Sequence, residues 1–307
     1  MKTSVVISTY NGEKYIKEQL DSIKNQTRKA DEVLIFDDRS TDRTVKIVKQ
    51  FINKNKLINW SIKINSRNKG WRKNFIEGIE QATGDIIFTC DQDDIWRVDK
   101  VEIMAKIMED NPKIEVLSSI YKEFFDNGTT QIGPFSKKCS LEKIELYHNY
   151  MLNKLPGCTF AFKSKIIDFC RKYWKEGYPH DAFIWRLGLF SNALYVYTDD
   201  LIEWRKHKTS AFATESRELK NKNNKYDWIL TAIDMNNTMQ RFINNEMVGN
   251  TSKENKLLKK TAYYLELRKR LYVSANPVYA IRLLRYWNMY PRYRQYLADW
   301  YLVFMKK

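Results

Sequence analysis

The fold is decided by the stretch Gly84-Asp85-Ile86-Ile87-Phe88-Thr89-Cys90-Asp91-Gln92-Asp93-Asp94-Ile95-Trp96. Its apolar run, residues 86–90, predicts a buried strand, and three carboxylates follow that run within four residues. Like charges packed this closely raise one another's pKa unless a cation lies among them. Because carboxylate oxygens suit Mg²⁺ or Mn²⁺, the stretch indicates either a metal site at a strand end or a solvated acidic turn.

Strands and helices alternate on the N-terminal side of this stretch. Apolar runs predict strands at residues 4–8, 33–36 and 62–64, and helical periodicity predicts helices between them. This alternation is typical of an α/β domain with a mostly parallel sheet and helices on both faces. Asp37 and Asp38 end the second strand, so two acidic strand ends lie where ligands bind in open α/β sheets.

Other local patterns predict further elements. Ser40 or Thr41 is expected to cap the second helix, and Ser140 to cap a helix over about residues 141–152. Neither a Gly-x-Gly-x-x-Gly nor a Gly-Lys-Ser/Thr motif occurs. A nucleotide site in this chain would therefore be built from carboxylates and a metal, not from a glycine-rich cradle.

Composition narrows the class of protein. A chain of 307 residues with 43% hydrophobic and 14% aromatic residues can form a substantial core. No apolar run reaches the roughly 18 residues of a membrane span. The four cysteines show no paired metal spacing. We expect a cytoplasmic protein with reduced cysteines and no signal peptide.

Positive charge is concentrated near the C-terminus. The net charge is +16, and residues 251–307 hold 13 Lys and Arg against three Asp and Glu. The arginines alternate with rings there: Arg282, Arg285, Tyr286, Trp287, Tyr290, Arg292, Tyr293, Arg294, Tyr296 and Trp300. This mixture suits the headgroup region of an anionic membrane. A helical appendage that packs its rings on the rest of the chain or on a second subunit is the alternative.

Three motifs in order make the sequence resemble family 2 glycosyltransferases of the GT-A fold. They are residues 4–12 (SVVISTYNG), 37–42 (DDRSTD) and 84–96, and the last is similar to the bacterial rhamnosyltransferase branch. The resemblance covers residues 1 to about 210. It implies a GT-A domain over 1–215, with a nucleotide-sugar half of about 1–110 and an acceptor half of about 111–215. A basic, aromatic-rich helical region, 216–307, follows.

The resemblance also implies a nucleotide site. Thr9 and Tyr10 would lie against the base, Asp38 would hydrogen-bond it, Asp37 would support that loop, and Asp91 would contact the ribose. The further nucleotide contacts implied are Asn11, Arg67, Lys73 and Arg205. Two plainer interpretations stay open: a helix N-terminal carboxylate at Asp38, stabilised by the macrodipole, and a core aromatic at Tyr10.

A metal and an acceptor are implied as well. Asp93 and His207 would hold Mn²⁺ or Mg²⁺ on the diphosphate, although a lone histidine is often structural. Asp94 would be a second ligand or would face the acceptor. The other acceptor contacts implied are Trp96, Gly157 and His180, and a core position is the alternative for Trp96.

The base of the reaction is expected at Asp181. Inverting transfer needs one group that takes the proton of the attacking hydroxyl, and the family places a carboxylate at a helix start in this region. An aspartate at a helix start is often only an N-cap. His180 is the fallback base, or a neighbour that orients the loop.

The expected function is therefore metal-dependent, inverting sugar transfer from a nucleoside diphosphate donor to a glycan in bacterial surface polysaccharide synthesis. dTDP-rhamnose is the favoured donor and a UDP-hexose the second. Expected partners are this donor, a glycan acceptor for which a lipid-linked form is one option, and the inner face of the membrane. Nucleic acid is not expected, and a homodimer stays open. The competing hypotheses are a non-catalytic nucleotide-sugar-binding protein and a nucleic-acid-binding protein.

Overall fold

The computed structural model describes residues 1–125, 127–207 and 210–306. They form two compact units. Unit 1 is Met1–Ile144, Lys154–Gly188 and Ala193–His207, and unit 2 is Glu145–Asn153, Leu189–Asn192 and Lys208–Lys307. All strands of the described residues belong to unit 1.

A mixed sheet forms the centre of unit 1. Its ten strands, counted over the described residues, are β1 (Thr3–Thr9), β2 (Glu32–Asp37), β3 (Trp60–Ile64), β4 (Ile86–Cys90), β5 (Ile95–Trp96), β6 (Val116–Phe125), β7 (Thr130–Ile132), β8 (Leu141–Lys143), β9 (Phe160–Lys163) and β10 (Leu194–Lys206). The order across the sheet is β3-β2-β1-β4-β9-β6-β10-β5, with β7 beside β6 and β8 beside β10. The α/β class is confirmed.

The parallel pairing that was predicted holds in the N-terminal part of the sheet. β2 pairs in parallel with β1 and β3, and β1 with β4, whereas β9 joins β4 and β6 in antiparallel fashion. β4 is buried along its whole length, which is typical of a parallel strand covered on both faces. In register, Thr9 lies beside Asp37, and Ile7 beside Cys90. The carboxyl ends of β1, β2 and β4 therefore meet at one edge of the sheet.

Eleven α-helices occur in the described residues. They are α1 (Ile16–Lys24), α2 (Thr44–Lys54), α3 (Trp71–Ile79), α4 (Lys100–Asp110), α5 (Lys165–Tyr173), α6 (His180–Phe190), α7 (Ala211–Glu218), α8 (Lys222–Glu246), α9 (Ser252–Ser274), α10 (Pro277–Leu284) and α11 (Arg294–Trp300). Short 3₁₀ turns lie at Gly157–Thr159 and Trp287–Met289, and a π-helical turn at Tyr301–Met305. α3 packs against β1, β2 and β4, behind the edge where those strands end.

Two predictions about helices were wrong. The helix expected over residues 141–152 is absent from the described residues; β8 begins there instead, because residues 141–143 pair with β10. The second helix begins at Thr44, not after Ser40 or Thr41. Ser40 donates a hydrogen bond to Asp37, and the backbone N–H of Thr41 donates one to Asn11. Both residues hold the loop between β2 and α2 in place, and neither caps the helix.

Unit 2 is organised around a buried ion pair. Arg268 in α9 donates Nε to Oδ2 of Asp299 in α11 at 2.8 Å, and Nη2 to Oδ1 at 2.9 Å. The hydroxyls of Tyr272 and Tyr290 donate to the same carboxylate at 2.8 and 2.9 Å. Arg268 and Asp299 are both fully buried. A buried charge pair needs such additional hydrogen bonds. In the part of the chain described here, no helix is both long enough and apolar enough to span a bilayer.

Candidate functional site

Asp37, the carboxylate at which the loop after β2 begins, holds that loop in place. Asp37 is fully buried and accepts hydrogen bonds from the Thr9 hydroxyl at 2.9 Å and from the backbone N–H of Ser40 at 2.9 Å. The Ser40 hydroxyl in turn accepts from the backbone N–H of Asn11 at 2.9 Å. Asp37 therefore fixes the loop after β2 against the loop after β1.

The next carboxylate, Asp38, is also buried and well supplied with donors. Its Oδ1 accepts from Asn65 Nδ2 at 2.9 Å and from the backbone N–H of Lys69 at 2.8 Å. Its Oδ2 accepts from the backbone N–H of Gly70 at 2.8 Å, and Gly70 is the N-cap residue of α3. Asp38 thus lies at a helix N-terminus, where an anion is stabilised, and that helix is α3.

Gln92 holds the backbone of the loop after β1 through two hydrogen bonds. No sequence motif indicates this role. The Oε1 of Gln92 accepts from the backbone N–H of Tyr10 at 2.9 Å, and its Nε2 donates to the Tyr10 carbonyl at 3.0 Å. A Cβ at Gly12 would lie 2.2 Å from that Oε1, so a larger residue at this position would displace the Gln92 amide from its contacts with Tyr10. With its backbone held, Tyr10 leaves its ring 46% exposed at the site.

Three carboxylates follow β4 in close proximity. Ligand atoms of Asp91, Asp94 and the Cys158 thiol lie within 4.8 Å of one another. Burial and the charges of Asp93 and Asp181 raise the pKa of Asp91 to about 7. Burial and the charges of Asp93 and Asp91 hold the pKa of Asp94 well above its usual range. Burial is the largest cause of both shifts, and the crowding of negative charge adds to it.

The end of β10 closes over this cluster. His207 Nε2 lies 2.7 Å from Asp93 Oδ2. The backbone N–H of Arg205 donates to Asp94 Oδ1 at 3.0 Å, while Asp94 Oδ2 is buried and has no hydrogen-bond partner in the described residues. Carboxylate oxygens such as those of Asp91 and Asp94 suit a hard divalent cation, whereas Asp93 and His207 pair with each other and do not belong to the group of ligand atoms within 4.8 Å that the described residues form. Burial raises the pKa of the Cys158 thiol well above its ordinary range, so the oxygens are the ligands on offer.

Arg205 is engaged with protein groups on several sides. Its Nε donates to the Asp93 carbonyl at 2.7 Å, and its guanidinium pairs with Glu18. The same guanidinium carbon lies 4.6 Å from the ring centre of Tyr15 and 4.2 Å from that of Phe124. Nε and Nη2 of Arg205 are therefore engaged with protein groups, and a phosphate that approaches Nη2 would compete with Glu18.

Gly157 brings the start of α6 against the turn before β9. A Cβ at Gly157 would lie 2.7 Å from Asp181 Cβ and 2.9 Å from His180 Nε2. The Thr89 hydroxyl of β4 donates to the Gly157 carbonyl at 2.6 Å. Through this contact the first turn of α6 lies near the carboxylates after β4, and the charge of Asp181 contributes to the raised pKa of Asp91.

His180 is buried and neutral. Its ring stacks on Phe75 with 3.9 Å between centres, and Trp71 meets it edge-on at 5.7 Å. Burial lowers the pKa of His180 to about 4, with Asp181 acting in the opposite direction and Arg72 in the same direction. Asp181 accepts a hydrogen bond from the backbone N–H of Ala182, the next residue, at 2.7 Å; an N-cap would accept from a residue two or three positions further on.

The remaining predicted residues lie in different surroundings. Arg67 is exposed and Lys73 pairs with Glu176 at 3.3 Å. Trp96 is 3% exposed, with Lys100 Nζ 4.2 Å from its ring centre. The expectation that Trp96 contacts an acceptor is not supported by this position, because a core aromatic has no face for a ligand.

Lys100 and Cys158 are further residues that the sequence analysis missed. Lys100 is fully buried and donates Nζ to the Cys158 carbonyl at 2.8 Å. Burial lowers its pKa to about 8, against the attraction of nearby groups that include Asp94 and Asp91. Neither residue belongs to a recognisable motif, and their proximity to the carboxylates arises from distant parts of the chain.

Known proteins are similar to this chain in sequence. The family described as Glycosyl transferase family 2 matches residues 4–170. An uncharacterized glycosyltransferase of Haemophilus influenzae is 26% identical over 285 residues, 87% of this chain and 86% of that protein. The poly(ribitol-phosphate) beta-N-acetylglucosaminyltransferase TarS of Staphylococcus aureus is 34% identical over 113 residues, 36% of this chain and 19% of that protein.

Solved structures share the fold. The structure of TarS residues 1–349 with UDP-GlcNAc has a TM-score of 0.66 and 20% identity, covering 94% of this chain and 78% of that one. A mannosyltransferase of Pyrobaculum calidifontis, solved with GDP-Man and Mn²⁺, has a TM-score of 0.59 and 15% identity, covering 100% of this chain and 88% of that one. These likenesses confirm the predicted GT-A fold class.

Proposed function

The chain belongs to glycosyl transferase family 2 and is a glycosyltransferase that uses a nucleotide-sugar donor, and we propose that it transfers the sugar with inversion and with the help of a divalent metal. One observation carries the proposal. The strand-end loops bring Asp37 and Asp38 to the same sheet edge as the cluster of Asp91, Asp93 and Asp94, and Asp181 is close enough to raise the pKa of Asp91. A binding surface alone would not require this concentration of carboxylates.

The diphosphate of the donor would be held at the end of β10. Asp93 and His207, whose Oδ2 and Nε2 lie 2.7 Å apart, would bind Mn²⁺ or Mg²⁺. Asp94, which groups with Asp91 and Cys158, would join them as a second carboxylate ligand only after its side chain moves. The metal would supply positive charge that stabilises the departing diphosphate. Arg205 would add a bidentate cation there once it exchanges Glu18 for phosphate.

The nucleoside would occupy the edge formed by β1, β2 and β4. The exposed ring of Tyr10 offers a surface for the base, and Thr9, Asn11 and Asp37 keep that loop rigid. Asp38 Oδ2 accepts one hydrogen bond in the structure and retains capacity to accept a second from the base. We assign the ribose to Asp91 and outer contacts to Arg67 and Lys73.

The acceptor hydroxyl would be activated by Asp181. The oxygen of the acceptor hydroxyl attacks the anomeric carbon of the donor sugar. The bond from that carbon to the diphosphate oxygen breaks in the same step. The bonding electron pair leaves with the diphosphate, and the hydroxyl proton passes to Asp181. His180 stays neutral, because its pKa is about 4, and with Gly157 it fixes the start of α6.

The donor and acceptor are the finer parts of the proposal. The rhamnosyltransferase-like motif at residues 91–96 favours dTDP-rhamnose, and the structural likeness to TarS with UDP-GlcNAc supports a UDP-hexose as the second candidate. The acceptor would be a glycan of a bacterial surface polysaccharide, received by the half of the domain after about residue 110.

A thermal-stability panel tests the donor site. The full chain is melted with UDP, dTDP, GDP and their sugars, each with Mn²⁺ and with EDTA. A ligand at 100 times its dissociation constant stabilises the native state by about 2.7 kcal/mol, so one nucleotide class should raise the melting temperature by several degrees with Mn²⁺. No shift with any nucleotide would remove the donor site from the proposal.

A transfer assay then separates the enzyme from a non-catalytic binder. Asp181→Asn should keep the nucleotide shift and lose transfer. A protein that binds nucleotide sugars without turning them over would show the same shifts in wild type and variant and no transfer by either.

A further inference from the structure

Unit 2 exposes an apolar surface close to its C-terminus. In the described part of the chain, nine of the 18 exposed large apolar or aromatic side chains lie within residues 273–305, each 48–73% exposed. This C-terminal apolar surface consists of Val273, Val278, Ile281, Leu284, Trp287, Tyr293, Leu297, Tyr301 and Met305. Single exposed apolar residues are normal, whereas an accumulation of this kind marks an interaction site.

Most members of the C-terminal apolar surface lie on α10 and on α11 with the π-helical turn that follows it, whereas Val273 lies at the end of α9 and Trp287 begins a 3₁₀ turn. The members recur every third residue from 278 to 284 in α10, and every fourth residue from 293 to 305 through α11 and the π-helical turn. Both spacings keep side chains on one side of a helix. The Tyr296 hydroxyl of α11 donates to the Ala280 carbonyl of α10 at 3.1 Å, so the two helices lie next to each other.

The exposed charges of this segment all have one sign. Its cations are Arg282, Arg285, Arg292 and Arg294, all exposed. Its one acidic residue, Asp299, is buried against Arg268. A second copy of this chain would bring the same four cations against these four, and like charges oppose such a contact. An anionic partner is favoured instead.

We infer that the C-terminal apolar surface binds the surface of an anionic lipid bilayer. Arginines attract the lipid phosphates, rings such as those of Trp287 and Tyr293 suit the headgroup level, and the aliphatic side chains enter the acyl boundary. A nucleic acid would satisfy the arginines but leave Ile281, Leu284 and Leu297 in water. A bilayer with anionic headgroups covers both classes of side chain.

Several aromatic residues that the sequence predicted for a membrane contact pack inside unit 2 instead. Tyr290 is buried and donates to Asp299, and Tyr286, Tyr296 and Trp300 are half-buried. These rings pack within unit 2, as the alternative interpretation of the sequence expected. Trp287, Tyr293 and Tyr301 are the exposed rings left for the membrane.

Vesicle sedimentation with the full chain tests the inference without any donor or acceptor. It therefore does not depend on the chemistry proposed for unit 1. Wild type should sediment with vesicles of phosphatidylcholine and phosphatidylglycerol about 10-fold more strongly than with phosphatidylcholine alone, and high salt should weaken the binding.

Two variants separate the apolar and the charged contributions. Ile281→Ser/Trp287→Ser/Leu297→Ser removes exposed side chains and should lower vesicle binding about 10-fold or more without lowering the melting temperature. Ile58→Ser/Val248→Ser, at exposed apolar positions elsewhere, is the matched control and should bind like wild type. Arg282→Gln/Arg285→Gln should lose the preference for anionic vesicles more than Lys253→Gln/Lys256→Gln in α9.

Several results would overturn the inference. One is wild type that ignores anionic vesicles, and another is a triple serine variant that binds them as wild type does. A dimer in solution that the triple serine variant converts to a monomer would show that a second copy covers the surface. Tight binding to random duplex DNA, unchanged by the serine substitutions, would assign the arginines to nucleic acid.

Discussion

The ring nitrogen Nε2 of His207 lies 2.7 Å from Oδ2 of Asp93, and this contact ties the end of β10 to the loop after β4. Arg205 strengthens the connection through its backbone N–H to Asp94 at 3.0 Å and its Nε to the Asp93 carbonyl at 2.7 Å. Segments more than 100 residues apart in sequence are thus fastened at the carboxylates. A perturbation of either segment should therefore be felt in the diphosphate site of the proposal.

His207→Ala should weaken metal-dependent nucleotide binding by about 10–100-fold or more, because the loss of a residue that only supports a metal ligand already costs that much and His207 is itself a proposed ligand. Isothermal titration of the nucleotide in the presence of Mn²⁺ measures this. His148→Ala, at an exposed histidine, is the control. Equal weakening by both substitutions, or by neither, would show that His207 has no part in metal binding.

Asp181→Asn should lower transfer by about 10²–10⁴-fold, the range for loss of a general base, while the dissociation constant of the nucleotide stays within a factor of two or so. If Asp181 is only a cap for α6, the substitution lowers stability by about 1 kcal/mol and leaves turnover largely intact. Asp168→Asn, in the exposed first turn of α5, controls for loss of a helix-start carboxylate. The transfer rate and the melting temperature together distinguish the two roles.

Stability should fall in acid because of His180. Its native pKa of about 4 lies below the ordinary 6.5, so between these values the unfolded chain binds a proton that the native protein does not. The native state therefore loses relative stability as pH falls through 6.5, by about 2 kcal/mol at pH 5. His180→Phe should remove this part of the pH dependence, measured as the change in unfolding free energy between pH 7.5 and pH 5. A variant with the wild-type slope would show that His180 takes up its proton in the native state.

Asp299→Asn should destabilise unit 2 by about 3–5 kcal/mol, because it leaves the Arg268 charge buried without a counter-ion. Arg268→Met/Asp299→Leu should cost less than the single substitution, since both charges are then gone. Glu266→Gln breaks the exposed pair with Arg270 on the same helix and should cost less than about 1 kcal/mol. Denaturant unfolding followed by circular dichroism measures all three. A small effect of Asp299→Asn would mean that water reaches the pair.

Local sequence was sufficient for the elements whose neighbours are also local. The continuous apolar run of β4 was predicted with its observed limits, Ile86–Cys90, because a strand buried on both faces needs no alternation. The strand ends at Asp37 and Asp91 were predicted to lie at one edge of the sheet, because parallel strands align their carboxyl ends. The helix predicted over residues 141–152 failed because Leu141–Lys143 pairs with β10, a partner about 50 residues away that periodicity cannot reveal.

The candidate site shows the same division. Carboxylates in strand-end motifs were visible in the sequence, whereas Gln92, Lys100 and Cys158 were not, because their positions depend on contacts with distant segments. The sequence offered Trp96 as an acceptor contact, and tertiary packing buried it. The roles assigned to the site residues stay predictions.

The most direct test of the central claim is a titration of the preferred nucleoside diphosphate into wild type and Asp93→Asn, each with Mn²⁺ and with EDTA. If the metal joins the diphosphate to Asp93, wild type should bind about 10-fold or more tightly with Mn²⁺ than with EDTA. The variant should bind about equally in both. Wild-type binding that is indifferent to metal would contradict a metal-dependent donor site, and full metal dependence in Asp93→Asn would place the metal elsewhere.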